Sequence, residues 1–217
     1  MPITLNGSGT VSGISAGGLP DGIIQSADLA SGVGGKILQV GNTTLNTRTT
    51  LTMTNINQNN DASIYYITGI DTTITTTQAN SKLLISGSVS GEFSNREDFF
   101  GFTLSSTISG TTAPIDALRA TTDSTFTNRP RYTFLPSIAY NSTNNDSTPN
   151  TTQFSNYLYA PAQASGTAIT IRVGVSCHTG NGEIIYINWC VNNTTNDADF
   201  EHTCSHMTVM EVAAWVN

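Results

Sequence analysis

The sequence predicts an all-β chain whose main body is a two-sheet antiparallel sandwich, and three observations carry that reading. Only 11% of its 217 residues are charged, and about a third are Thr, Ser or Asn. Hydroxyl and amide side chains compete with the backbone for hydrogen bonds inside helices, yet they suit exposed strands and loops. Short segments then alternate apolar and polar residues with period two, as strands with one buried and one wet face do. Turn-rich clusters such as Gly110-Thr111-Thr112-Ala113-Pro114 and Asn144-Asn145-Asp146-Ser147-Thr148-Pro149 separate those segments.

Residues 1–36 have a different texture. The stretch "GTVSGISAGGLPDGIIQSADLASGVGGKILQV" (9–40) is rich in Gly, Ser and Ala and holds one strong turn signal, Leu19-Pro20-Asp21-Gly22. Its few large apolar groups cannot assemble a core. A short helix is expected at Ser26–Ala30, with Ser26 as cap and Gly32 closing it.

Strand signals begin at Lys36. "LTMTNIN" (51–57) and "IYYITGI" (64–70) open the body, and "KLLISGSVS" (82–90) sets Leu83, Ile85 and Val89 against serines. "FFGFTLSS" aligns Phe100, Phe102 and Leu104, and "YTFLPSIAY" aligns Tyr132, Phe134, Ile138 and Tyr140, with Pro136 marking an edge or bulge. "ITIRVGVS" alternates most cleanly, Ile169, Ile171, Val173 and Val175 opposing Thr170, Arg172, Gly174 and Ser176. "IIYIN" (184–188) and "HMTVMEVAA" (206–214) complete a set of about eight strands, enough for one sandwich.

Charge narrows the partners. A net charge of −7 with only eight Lys plus Arg gives no electrostatic route onto nucleic acid or an anionic membrane. No window approaches the ~18 apolar residues of a membrane span. Met1-Pro2 is followed by no basic-then-apolar signal, so folding in a cytoplasm is expected. Cys177, Cys190 and Cys204 are odd in number and widely spaced, and are expected as thiols, mostly buried.

The order of segments resembles structural proteins of tailed bacteriophages. The resemblance rests on "ITLNGSGTVSGISAGGLPDGIIQSADLASG" (3–32), "KILQV" (36–40) and "TVMEVA" (208–213). Between them stand "SKLLISGSVSG" (81–91), "NYLYAPAQASGTAITIRVGV" (156–175) and "IIYIN". It implies a head, residues 37–217, of the complement and tumour-necrosis-factor-like jelly-roll type, on an N-terminal segment, residues 1–36, that attaches to the virion and trimerises. It further implies a homotrimeric, non-enzymatic tail fibre or spike subunit. Such a subunit would be assembled in the host cytoplasm, joined to other virion proteins and carried on the particle surface to contact a host glycan or protein. On this reading Val11, Ile14, Leu19, Ile23 and Ile24 are buried against neighbouring copies or a virion socket. A capsid fibre or decoration protein without a receptor is the alternative, and a glycan-cleaving spike a further one. Residues 107–131 depart from the pattern as an extra-long connection, and so does the Cys/His-rich stretch 177–206.

Glycan recognition by a β-head uses aromatic platforms and polar groups at loop tips. "GEFSNRED" (91–98) offers Phe93, Asn95 and Arg96, and "NWCVNNTTNDADFE" (188–201) offers Trp189, Asn192 and Asp197. Jelly-roll order would place both loops at the end opposite the leader. Met210 and Trp215 are expected in the core or at a subunit interface.

Three constellations of side chains could carry chemistry. His202, Cys204 and His206 alternate along a strand near Cys177-His178, yet lack the turn and Cys-X-X-Cys pair of structural metal sites, so neither metal nor cofactor is expected. Ser205 or Cys204 with a histidine lacks a Gly-X-Ser-X-Gly elbow or an oxyanion loop. Glu92, Glu97 and Asp98, with Glu183 and Glu201, could supply a carboxyl pair if a cleft brought two within about 5–10 Å.

Overall fold

The computed structural model of the chain describes residues 4–5, 11–12, 37–54, 63–94, 100–121, 130–137, 149–177, 182–191 and 201–214. The chain divides into two units, Met1–Lys36 with Trp215–Asn217, and Ile37–Ala214. In the first, β1 (Thr4–Leu5) pairs antiparallel with β2 (Val11–Ser12), Leu5 opposite Val11. Ile14, Leu19, Ile23, Ile24, the expected helix at 26–30 and Trp215 lie outside the described residues.

The second unit is almost wholly strand. Its elements are β3 (Ile37–Leu45), β4 (Thr49–Met53), β5 (Tyr65–Tyr66), β6 (Thr72–Thr75), β7 (Lys82–Phe93), β8 (Phe100–Ile108) and β9 (Thr111–Pro114). They continue as β10 (Asn150–Tyr159), β11 (Ala168–Cys177), β12 (Glu183–Ile187) and β13 (Ser205–Val212). One sheet runs β3-β13-β7-β12-β4 with β10 also on β7, and the other runs β5-β11-β8-β9 with β6 also on β11. Every pairing is antiparallel.

This is a jelly roll. The chain crosses between sheets from β3 to β6, β6 to β7, β7 to β8 and β9 to β10, and again from β10 to β11 and β11 to β13, leaving β3-β13-β7-β10 facing β6-β11-β8-β9. The expected fold class is therefore the observed one. β4 and β12 are additions that extend the first sheet beyond the end of β13, on the same flank of β7.

Period-two alternation explains the core. Leu83, Ile85, Val89 and Phe93 of β7 point inward, as do Phe100, Phe102 and Leu104 of β8 and Ile169, Ile171, Val173 and Val175 of β11. Each such side chain, fully withdrawn from water, contributes roughly 1.5–3 kcal/mol. Phe102, Phe134 and Phe154 stack in succession at 5.0 and 4.8 Å between centroids.

Several expectations shift. Phe134 pairs its backbone with β8 as an isolated bridge at Phe102, and residues 130–137 form no strand. The cluster 111–114, expected as a turn, is strand β9, because the left-handed pair Ser109 and Gly110 turns the chain two residues earlier. The supposed long connection from 107 thus begins as a hairpin. β6 (TTIT) and the first half of β10 (NTTQF) were not anticipated; burial alternates along both, but Thr72 and Thr152 hold inward positions that read as polar.

Register fixes the two ends of the body. Val212 lies opposite both Ile37 and Lys82, so β3, β7 and β13 share a root. At the far end Leu45 faces Ser205, and Gly91 lies between Asn150 and Ile187.

Candidate functional site

The far end is organised around one buried asparagine. Asn188 follows β12 in the left-handed conformation, φ 67°, which Asn tolerates better than most residues. Its Nδ2 donates to the Leu45 carbonyl at 2.8 Å and the Thr47 carbonyl at 3.0 Å, and its Oδ1 accepts from Ser205 Oγ at 2.6 Å. The backbone N–H of Asn188 donates to Ser90 O at 2.8 Å, and that of Ser90 donates to Ser205 Oγ at 3.0 Å. The ends of β3, β7, β12 and β13 are therefore joined by groups whose hydrogen-bonding capacity is met away from water.

On the outside of this junction sits an aromatic cluster. Trp189 is half-buried, donates from Nε1 to Thr49 O at 3.0 Å and meets Tyr186 edge-on at 5.4 Å. The exposed Arg48 guanidinium lies 5.1 Å from the Trp189 ring centroid, within cation–π range. Trp189 was expected here as a recognition residue; Tyr186 and Arg48 were not. Tyr186 carried a signal, since it occupies the outward phase of "IIYIN". Arg48 reaches Trp189 only because β4 folds back beside β12.

Phe93 requires correction. Read as a loop-tip platform, it is the last inward residue of β7, 6% exposed, with its ring 4.0 Å from Phe100 and 6.2 Å from Phe102. The alternation from Leu83 simply continues through Phe93, one turn later than the Gly and Glu before it implied. Asn95, Arg96, Asn192 and Asp197 lie outside the described residues, as do Glu97, Asp98 and His178.

The groups that could carry chemistry have other partners. Glu92 is buried and its Oε2 accepts from the Val191 backbone N–H at 2.6 Å, pinning the segment after β12. Glu183 Oε2 accepts from Ser94 Oγ at 2.9 Å. Ser205, a candidate nucleophile, is fully buried in the Asn188 junction. Cys177 and Cys190 are buried thiols, whereas Cys204 is exposed. His202 and His206 are exposed, and His206 Nδ1 lies 3.0 Å from Ser88 Oγ. Among the described residues no three His, Cys, Asp or Glu side chains gather as a metal site would need.

At the root, Glu211 is fully buried. Its Oε1 accepts from the backbone N–H groups of Thr77 (2.8 Å) and Gln78 (3.2 Å), and its Oε2 from Gln39 Nε2 (2.6 Å) and Thr77 Oγ1 (2.9 Å). Burial pushes the carboxyl pKa up, but the hydrogen bonds outweigh it and hold the group below its ordinary value of 4.5.

No family model and no curated protein matches the chain. It is similar to solved structures of infectious bursal disease virus. For the Gx strain the identity is 13% over 81% of this chain and 37% of that one, with a TM-score of 0.33. For the VP2 subviral particle the values are 11%, 81%, 38% and 0.31, and for the Gt strain 14%, 81%, 36% and 0.29. The chain thus spans little more than a third of the length of those chains.

Proposed function

We propose that the chain is a non-enzymatic structural subunit of a virion, a homotrimeric tail fibre or spike protein whose jelly-roll head contacts the host surface. One observation carries the reading: strand register gives the head a root, where Ile37, Lys82 and Val212 meet, and an opposite tip bearing Trp189, Tyr186 and Arg48. Residues 1–36 precede β3 in the chain and serve attachment and trimerisation through Val11, Ile14, Leu19, Ile23 and Ile24. The tip presents an indole, a phenol and a guanidinium, groups that stack on and hydrogen-bond to sugars. Asn95 and Arg96, which follow Ser94 in the chain, and Asn192 and Asp197, which follow Val191, complete the receptor contact in this reading. The non-enzymatic reading is supported by Glu92 and Ser205, whose polar atoms are engaged in holding backbone and Asn188.

The test uses particles of the phage that encodes the chain. Deleting residues 1–36 should abolish incorporation, and particles lacking 37–217 should assemble yet fail to adsorb. Normal adsorption by headless particles would instead assign a capsid fibre or decoration role. Release of reducing sugar from host envelopes by the wild-type chain, lost in Glu97→Gln, would assign a glycan-cleaving spike.

A further inference from the structure

Among the described arginines, one stands apart. Arg119 and Arg131 both reach Asp116 Oδ1, and Arg172 reaches Asp71 Oδ2 at 3.0 Å. Arg48 is exposed, pairs with no carboxylate and donates no hydrogen bond among the described residues; what holds it is the Trp189 ring. A guanidinium held over a ring by cation–π attraction keeps its N–H donors available. The surface beside it is uncharged. Thr50 of β4 lies opposite Tyr186 of β12, and Thr52 opposite Ile184, all in the outward phase of their strands. Thr50 and Thr52 are exposed, and their hydroxyls, like the Tyr186 phenol, form no hydrogen bond among the described residues. Glu92 lies on the other side of Tyr186, but it is buried and its Oε2 accepts from the Val191 N–H.

We propose that the sugar recognised at the tip is anionic, its carboxylate or phosphate held by the Arg48 guanidinium while its ring lies against Tyr186, Thr50 and Thr52. The inference rests on the host-attachment reading above and names the class of receptor for that same site. Charge decides the class. An arginine without a counter-ion, in a chain of net charge −7 with eight Lys plus Arg, is a positive point on a negative surface. A neutral sugar leaves that charge unmatched, whereas a carboxylate or phosphate accepts two parallel N–H bonds from it. Attraction to Trp189 places the guanidinium before the ligand arrives, so less side-chain freedom is lost on binding. The free hydroxyls supply the uncharged contacts that orient a sugar ring. A lone cation suits one acidic group, not the long run of charges on a phosphate backbone.

The experiment is calorimetric titration of the full-length chain with envelope polysaccharide from a bacterium that the phage infects. The polysaccharide is used in native form, after carboxyl reduction and after dephosphorylation with hydrofluoric acid. Wild type should bind the native form, more weakly as NaCl rises. One of the two treatments should abolish binding, and which one does so tells carboxylate from phosphate. Arg48→Gln should weaken binding about 10–100-fold and remove most of the salt dependence, with unchanged far-ultraviolet dichroism. Arg48→Lys should lose less, because it keeps the charge and gives up only the fork. Lys82→Gln, a cation removed at the root, should bind as wild type does. If Arg48→Gln disturbs the fold, Arg48→Lys carries the comparison. Undiminished binding after both treatments, or an Arg48→Gln chain that binds as wild type does, overturns the inference and leaves host attachment standing. A wild-type chain that binds no native polysaccharide overturns the inference together with attachment through a glycan.

Discussion

Glu211→Gln tests how the root of the head is held. The carboxylate meets four donors, and an amide has only one acceptor oxygen to offer them. If the new amino group takes the place of Oε1, it faces the backbone N–H groups of Thr77 and Gln78. If it takes the place of Oε2, it faces Gln39 Nε2, which can turn away only by giving up its bond to Thr75 O. Either orientation leaves at least one of these partly buried donors without its acceptor, at about 1–2 kcal/mol, and the surviving bonds lose their charge assistance. The expected loss is about 3 kcal/mol, or a Tm lower by roughly 6–12 °C for a domain of this size. Thermal unfolding at pH 7 and matched protein concentration measures it. The pH dependence supplies a second readout. A carboxyl whose folded pKa is depressed stabilises the fold fully above its unfolded value near 4.5, and that stabilisation disappears as pH falls through the folded value. The gap between wild type and variant should therefore be full at pH 7 and shrink below about 4.5. A Tm change under about 2 °C at pH 7, or a gap that widens in acid, would refute the reasoning.

Three further outcomes follow from the geometry. Asn188→Ala should destabilise by about 3 kcal/mol in urea titration, since it removes three side-chain bonds and leaves a β-carbon at positive φ, and Asn188→Gly should recover about 1 kcal/mol of that. Gly101→Ala places a β-carbon 2.3 Å from the Tyr132 ring; a loss of about 2 kcal/mol is expected, and a double-mutant cycle with Tyr132→Ala should show strong positive coupling. A thiol reagent should modify one cysteine of the native chain, Cys204, and three after denaturation, while rapid native labelling of Cys177 or Cys190 would contradict their burial.

The amino-acid order alone determined the class of fold and most of its core. Period-two alternation is a local property, so Leu83, Ile85 and Val89, or Ile169 through Val175, declare their inward face without knowledge of any neighbour. It also hid what it should have revealed about Phe93, where a Gly and a Glu in the preceding positions read as a loop although the same alternation ran on. Strands whose inward residues are Thr, as in β6 and β10, carried too weak a contrast to stand out. Pairing is another matter. That Val40, Met210, Leu84 and Leu158 form one row, that Asn188 reaches Leu45 and Ser205, and that Arg48 lies over Trp189 depend on which strands are neighbours and in what register. Those contacts join residues separated by up to 170 positions (Val40 and Met210), and only the closing of the two sheets over a shared core selects them.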